Sequence, residues 1–212
     1  MEHQLEVELK WALCASEHAE LGQRLAEMLG PPRQMAQDNR FFDSADARLH
    51  RQGCNLRLRL ENHDLVLTCK RKAAGVDPLG AHRHDEWEER LDPALWALVA
   101  AGGTLPDALL PLPPPLRAAL AGSELRALGG FANQRQEFHA QRPGARDLLC
   151  LDRTTFAPGR VDHELEIETA DPDGAAPHWR SHLASWGVTV RTQGETKFAR
   201  FQALRRARPA GG

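Results

Sequence analysis

Several familiar signals are missing from this sequence, and each absence narrows the possibilities. No apolar run approaches the roughly 18 residues that a membrane-spanning helix needs. The opening residues, Met1-Glu-His-Gln-Leu-Glu6, offer neither a basic stretch nor an apolar one, so no signal peptide is expected there. The four cysteines, Cys14, Cys54, Cys69 and Cys150, are scattered and form no Cys-x-x-Cys pair. That pattern fits reduced thiols in a cytoplasmic protein better than a disulfide frame or a zinc knuckle. Charge of one sign is also missing: 27 Lys and Arg stand against 29 Asp and Glu, for a net charge of -2. No global basic field invites nucleic acid, so any anion must be bound by a local site. There is no Walker loop and no Gly-x-Gly-x-x-Gly, hence no loop-and-helix grip on phosphate. A Gly-x-Ser-x-Gly elbow is absent, and no cysteine stands out as a nucleophile.

What remains is a chain of 212 residues, 42% hydrophobic and 26% charged. That composition suits a soluble globular protein with a sizeable core. One domain over residues 1–204 is expected, with residues 205–212 as a frayed basic tail.

Period-two alternation is the dominant pattern. Residues 4–11 set Leu5, Val7 and Leu9 against Glu6, Glu8 and Lys10. Residues 55–60 set Leu56, Leu58 and Leu60 against Arg57 and Arg59, and 65–72 read as their hairpin partner across Asn62-His63-Asp64. Further strands are expected at 84–91, 133–139, 147–156, 163–169 and 195–202, carrying Glu86 and Glu88, Arg135, Asp152, Glu164-Leu-Glu166-Ile-Glu168 and Lys197. Helices are expected at 16–29 with Ser16 as N-cap, at 92–101 opened by Asp92-Pro93, at 116–128, and at 175–186 ended by Gly187. The proline-rich residues 106–115 read as a connector. His82 and His84 fall in a loop on this reading, and His178 and His182 on a helix surface. The sum is a strand-dominated α+β chain whose eight or so strands close into an antiparallel barrel.

The charged strand faces need a reason. Glu and Asp are poor strand formers. Glu164, Glu166 and Glu168 place three like charges on one side of one strand, which repel unless something neutralises them. A divalent cation with a preference for hard oxygen ligands would do so. Lys10, Arg57, Arg59, Lys70, Arg135 and Lys197 add cations from separate segments. Arginine forks phosphate oxygens and lysine offers a point charge. Carboxylates and cations in such numbers suit a polyanion held together with metal, the charged faces lining a wet interior while the apolar faces pack under helices.

In order along the chain, these segments resemble the motifs of the CYTH domain, the triphosphate tunnel metalloenzyme superfamily. They are Glu6-x-Glu8-x-Lys10, Asn39-Arg-Phe-Phe-Asp43-Ser, Leu56-Arg57-Leu-Arg59, Leu67-Thr-Cys-Lys70, Glu86-Trp-Glu88, Gly129-Gly-Phe-Ala-Asn133-Gln-Arg135, Leu151-Asp152, His163-Glu164-Leu-Glu166-Ile-Glu168 and Thr196-Lys197-Phe-Ala. The resemblance covers residues 4–202 and is greatest to the plant-type and related bacterial tripolyphosphatase branch. Ser44 stands where the family usually has Thr.

The resemblance implies an eight-stranded antiparallel tunnel with a charged lumen and helices outside. It implies that Lys10, Arg57, Arg59, Lys70, Arg135 and Lys197 hold phosphates, and that Glu6, Glu8, Asp152, Glu166 and Glu168 bind one or two Mg2+ or Mn2+. Glu86, Glu88 and Glu164 would support them. The activity implied is metal-dependent hydrolysis of inorganic tripolyphosphate, with Glu6 or Glu168 taking the proton of water and Lys10 stabilising charge. Thiamine triphosphate or a nucleoside triphosphate as substrate, cyclisation of ATP, and polyphosphate binding without turnover are the alternatives. The expected partner is a small-molecule triphosphate, with neither nucleic acid nor membrane, in a cytoplasmic monomer or homodimer.

Overall fold

The computed structural model describes residues 1–73, 81–100, 104–106, 110–120, 122–156, 159–189 and 191–207. In chain order the elements are β1 (Glu2–Leu13), α1 (Ala15–Leu29), β2 (Arg33–Ser44), α2 (Arg48–Arg51), β3 (Cys54–Glu61), β4 (Asp64–Lys72), β5 (His82–Leu91) and α3 (Leu95–Ala100). There follow β6 (Leu105–Pro106), α4 (Pro114–Leu120), β7 (Glu124–Arg142), β8 (Ala145–Phe156), β9 (Arg160–Thr169), α5 (Pro172–Ser185), β10 (Arg191–Thr192) and α6 (Lys197–Arg206). The hydrogen-bonded order is β10-β1-β5-β4-β3-β2-β7-β8-β9, and β1 also pairs with β9. Eight antiparallel strands therefore close into a barrel, with the two-residue β10 and β6 added to β1 and β7. No helix among the described residues is long and apolar enough to cross a membrane.

The chain divides into two compact units. The first comprises Met1–Val7, Met35–Val76 and His82–Asn133; the second comprises Glu8–Gln34, Asp77–Ala81 and Gln134–Gly212. Each has its own apolar core, made from the uncharged faces of its strands. In the first unit Leu56, Leu58, Leu65 and Leu67 pack with Leu49 of α2, Val99 of α3 and Leu116 and Leu120 of α4. In the second, Leu9 and Trp11 of β1, Leu149 and Leu151 of β8 and Leu165 and Ile167 of β9 pack with Leu21 and Leu25 of α1 and Trp179 and Leu183 of α5. Each such buried side chain contributes about 1.5–3 kcal/mol from area removed from water. The opposite, charged faces are buried too: Glu8, Lys10, Glu86, Asp152, Glu164 and Glu166 are all below a tenth exposed. The alternation is thus inverted relative to a solvated barrel, as the sequence implied.

Several elements differ from expectation. The α1 N-cap is Cys14, whose Sγ accepts from Glu17 N at 3.5 Å while Glu17 Oε2 accepts from Cys14 N at 2.6 Å. This reciprocal capping box outcompetes Ser16. The helix expected at 116–128 stops at Leu120, and Gly122, with a φ of 73°, turns the chain into the long strand β7. Strand β2 (Arg33–Ser44) is not among the expected strands, and only its second half, Asn39 to Ser44, reads as a motif in the sequence. Residues 195–202 are not a strand: Thr196 Oγ1 accepts from Ala199 N at 3.1 Å and opens helix α6, with Lys197 its first residue. Arg205 and Arg206 finish that helix rather than fraying, while Arg208 to Gly212, like Ala101 at the end of the expected 92–101 helix, lie outside the described residues. The paired glycines of the Gly129-Gly-Phe motif also gain a reason. A Cβ on Gly130 would lie 1.6 Å from the Asn39 carbonyl oxygen, so β7 can pass β2 there only without a side chain.

Candidate functional site

In the first unit, β1, β3, β4 and β5 bring a mixed cluster together. Lys70 Nζ donates to both oxygens of Glu6 at 2.7 Å and lies 3.2 Å from Glu86. His84 Nδ1 is 3.6 Å from Glu6, so His84 sits on strand β5 within the cluster and not in a loop. Arg59 pairs with Glu88 at 3.4 Å and with Glu61 at 3.1 Å. Behind Glu61 stands a chain of amides: Gln37 Nε2 donates to it at 3.0 Å, and Asn133 Nδ2 donates to Gln37 at 2.9 Å.

Arg57 differs from these. Its Nη2 donates to Thr68 Oγ1 at 3.2 Å, and that hydroxyl donates onward to Glu88 at 2.9 Å. Among the described residues no carboxylate reaches Arg57 in ion-pair contact, and its buried Nε has no partner. Burial, then repulsion from Arg59, pushes its guanidinium down to about 10, with Glu86, Glu88 and Glu6 opposing too weakly to restore it.

The second unit gathers β1, β7, β8, β9 and α6, and here Lys10, Arg135 and Lys197 are each held by at least two carboxylates. Lys10 Nζ lies 2.8 Å from Glu8 and 2.8 Å from Glu166. Arg135 forks Asp152 through Nε at 2.8 Å and Nη2 at 2.7 Å, and donates to Glu166 at 2.5 Å. Lys197 Nζ donates to Asp152 at 2.7 Å and to Glu166 at 2.8 Å, and it touches Glu164. Burial works to neutralise these groups, but the opposite charges win. Glu166, Glu8 and Glu164 hold Lys10 above the usual lysine range, and Asp152, Glu164 and Glu166 do the same for Lys197. Arg135 and Lys197 keep Asp152 below the usual carboxylate range, and Lys10, Lys197 and Arg135 keep Glu166 well below it. Cys150 shares this face, yet burial drives its thiol up, so it is no nucleophile.

Strand register explains the arrangement. Lys10 faces Glu166 across the β1–β9 ladder, and Asp152 faces Glu164 across β8–β9. Glu8 and Glu168 are directly opposite, a like-charge pair that is destabilising without a cation between. Asp152, Glu164 and Glu166 each offer an oxygen within 4.8 Å of the others. Glu168 lies outside that trio, a third exposed, 3.8 Å from Arg135. The ammonium of Lys197 already stands among the trio, so a positive ion suits the place. All the donors are hard carboxylate oxygens, which fits Mg2+ or Mn2+. Thr68, Glu61, Gln37 and Arg200 belong to these clusters and were not singled out from sequence, and His84 reads there as a loop residue. Glu61 ends the alternating Arg57-Leu-Arg59-Leu-Glu61 run, which was a usable signal; Arg200 had none until Lys197 was known to start a helix.

A closed antiparallel barrel whose buried strand faces carry interleaved carboxylates and cations defines a class of β-barrels with charged interior faces. Residues 4–201 match the CYTH domain, and the chain belongs to that family. Its structure is similar to that of a putative adenylyl cyclase from Hippeastrum described as having a dominant triphosphatase activity. The two share 28% identity over 94% of this chain and 96% of that one, with a TM-score of 0.78. It is also similar in fold to a putative adenylate cyclase from Bacillus halodurans (21% identity, 95% and 99% covered, TM-score 0.65). A Pyrococcus horikoshii protein shares the fold at 16% identity, with 94% and 99% covered and a TM-score of 0.61. No curated protein matches the sequence.

Proposed function

We propose that the protein is a metal-dependent triphosphatase that cleaves inorganic tripolyphosphate to pyrophosphate and phosphate. The observation that carries the reading is Arg57, a guanidinium with a buried, unpartnered Nε and, among the described residues, no carboxylate in contact, beside a second arginine. Such a group is compensated by an anion with several oxygens, and a phosphate chain is the anion that arginine forks best. The triphosphatase activity described for the Hippeastrum relative supports the same reading.

In this mechanism Arg57, Arg59 and Lys70 bind phosphate oxygens in the first unit, and Lys10, Arg135 and Lys197 do so in the second. Cations at phosphate oxygens stabilise the charge that spreads over them as a P–O bond breaks. Asp152 and Glu166, with Glu8 and Glu168, are the groups that would hold Mg2+ or Mn2+, and Glu6 is a further oxygen donor in the first unit. The bound ion would offset phosphate charge and lower the pKa of a water. Glu86 and Glu88 keep Lys70 and Arg59 in place. Glu166 and Asp152 are engaged by Lys10, Arg135 and Lys197, and Glu6 has both oxygens engaged by Lys70. Glu168, a third exposed, is the better general base.

The test is phosphate release from tripolyphosphate, thiamine triphosphate and ATP with Mg2+ or Mn2+, with cyclic nucleotide assayed in the ATP arm. Release from tripolyphosphate, lost in Lys10→Ala, is the expected result. No release from any substrate, or cyclic product as the main one, would overturn the proposal.

A further inference from the structure

Helix α6 begins with two cations one turn apart, Lys197 and Arg200. Arg200 is 3% exposed. Its Nη2 donates to Glu164 Oε2 at 2.7 Å and its Nη1 to the Glu195 carbonyl at 2.9 Å. Its Nε lies 3.0 Å from Asp162 Oδ2, and its guanidinium carbon is 5.9 Å from the centre of the Phe156 ring. The other oxygen of Glu164, Oε1, touches Lys197 Nζ. One buried carboxylate thus bridges both cations.

The arrangement is costly on its face. The first turn of a helix carries the positive end of its dipole, which disfavours cations. Burial disfavours them further unless acids hold them. Lys197 already has Asp152 and Glu166, so a second cation there is not needed to satisfy it. Arg200 instead competes with Lys197 for Glu164. The consequence is geometric. With Oε2 bound to a guanidinium that is itself fixed at three further points, Glu164 has one place to be, and its remaining oxygen marks one place for the Lys197 ammonium.

We infer that Arg200 is a positioning residue: acting through Glu164, it fixes the Lys197 ammonium where it meets a phosphate oxygen and keeps Glu164 from holding a divalent ion directly. Asp152 and Glu166 are then the carboxylates left to hold a divalent ion beside that ammonium. The inference rests on the proposed triphosphatase reading and deepens it.

The experiment compares the full-length protein with Arg200→Gln, Arg200→Lys, Glu164→Gln and the Arg200→Gln/Glu164→Gln double variant. Three quantities are measured: kcat and KM for tripolyphosphate, calorimetric affinity for tripolyphosphate with no divalent ion, and the thermal unfolding midpoint. Arg200→Gln is expected to weaken metal-free binding and raise KM by about tenfold, equivalent to about 1.4 kcal/mol. Its kcat should change by less than about threefold, since binding geometry is lost and not the chemical step. Arg200→Lys should share the defect, because an ammonium lacks the planar fork. The double variant should match Arg200→Gln to within about twofold, since the two residues act as one unit. Wild-type KM and affinity in Arg200→Gln or Arg200→Lys would overturn the inference, and so would losses that multiply in the double variant. Should Arg200→Gln fail to fold, Arg200→Lys retains the charge and decides the matter alone. If the wild-type protein neither binds nor cleaves any triphosphate, the triphosphatase reading fails and takes this inference with it. The wild-type arm shows that before any variant is compared.

Discussion

The two units carry the same kinds of residue on their buried strand faces, yet the balance within each differs. In the second unit Lys10, Arg135 and Lys197 each contact at least two carboxylates within 2.8 Å. All three stay charged despite burial. In the first unit Lys70 and Arg59 are paired, while Arg57 has a threonine hydroxyl and, among the described residues, no acid in contact. A saturated cluster is internally stable and gives up its contacts only in exchange. An unsaturated cation is a standing demand for an anion. Under the proposed function the difference would give the clusters different parts: a cation-exchanging network whose contacts are traded when phosphate or a metal ion enters, and at Arg57 an anion receptor that needs no such trade.

The comparison predicts opposite responses to mutation. Glu166 serves Lys10, Arg135 and Lys197 at once. Glu166→Gln should destabilise the protein by about 3–5 kcal/mol, because it leaves buried cations short of a counter-charge. Urea unfolding with activity followed in parallel would measure both, and a stability within 1 kcal/mol of wild type, on the order of one ordinary hydrogen bond, would break the contrast. Arg57→Met should do the reverse. Loss of a charged hydrogen bond to substrate raises KM by about 10- to 150-fold, or about 1.5–3 kcal/mol. The unfolding midpoint should hold or rise, since an under-compensated buried charge has been removed. A large fall in the midpoint would show that Arg57 is a structural cation like those of the second unit.

The legible part of this organisation was whatever period-two alternation carries. Glu6, Glu8 and Lys10 opposite Leu5, Val7 and Leu9 separate two faces of β1, and the inward turn of the charged one follows only from the charged strands taken together. β2 escaped because its buried side is Gln37, Asn39 and Phe41, so neither face reads as uniformly apolar or charged. α6 escaped because its segment has no clear apolar stripe, and Thr196 looks like a strand residue until its hydroxyl is seen capping Ala199. Register was invisible as well. Glu164, Glu166 and Glu168 are equivalent in sequence, but they face Ala12, Lys10 and Glu8 respectively, and that alone separates their surroundings.

Acidity offers a third test, smaller than either substitution. Glu166 and Asp152 titrate below their ordinary values of 4.5 and 3.8. Their stabilisation is present above about pH 4.5 and is lost as pH falls through the depressed folded values. Lys10 and Lys197 titrate above their ordinary 10.5, so their share is present below that pH and is lost as it rises through the folded values. Arg57 has the opposite sense. Lowered from its ordinary value to about 10, it opposes folding while charged, and that opposition is relieved as pH rises above about 10. Unfolding free energies below pH 4.5 should therefore fall steeply in the wild type and less steeply in Glu166→Gln. Parallel acid limbs would mean that Glu166 is not depressed.

The smallest expected effect concerns a residue with no charge. Thr196 caps α6 by accepting from Ala199 N, and the next residue is Lys197. Thr196→Ala should cost about 1 kcal/mol through loss of the cap. Because fraying begins at the first turn, the loss falls on the segment that aims Lys197 and Arg200. Hydrogen exchange should quicken at the α6 amides, including Arg200 N, which donates to the Thr196 carbonyl at 3.1 Å, while β3 and β4 of the first unit keep their wild-type rates. Arg57 should consequently bind phosphate as before, and metal-free calorimetry should show only the modest weakening that a loosened Lys197 produces. Equal quickening in β3 and β4 would mean that the two clusters are not independent, and the division into a cation-exchanging network and an anion receptor would have to be abandoned.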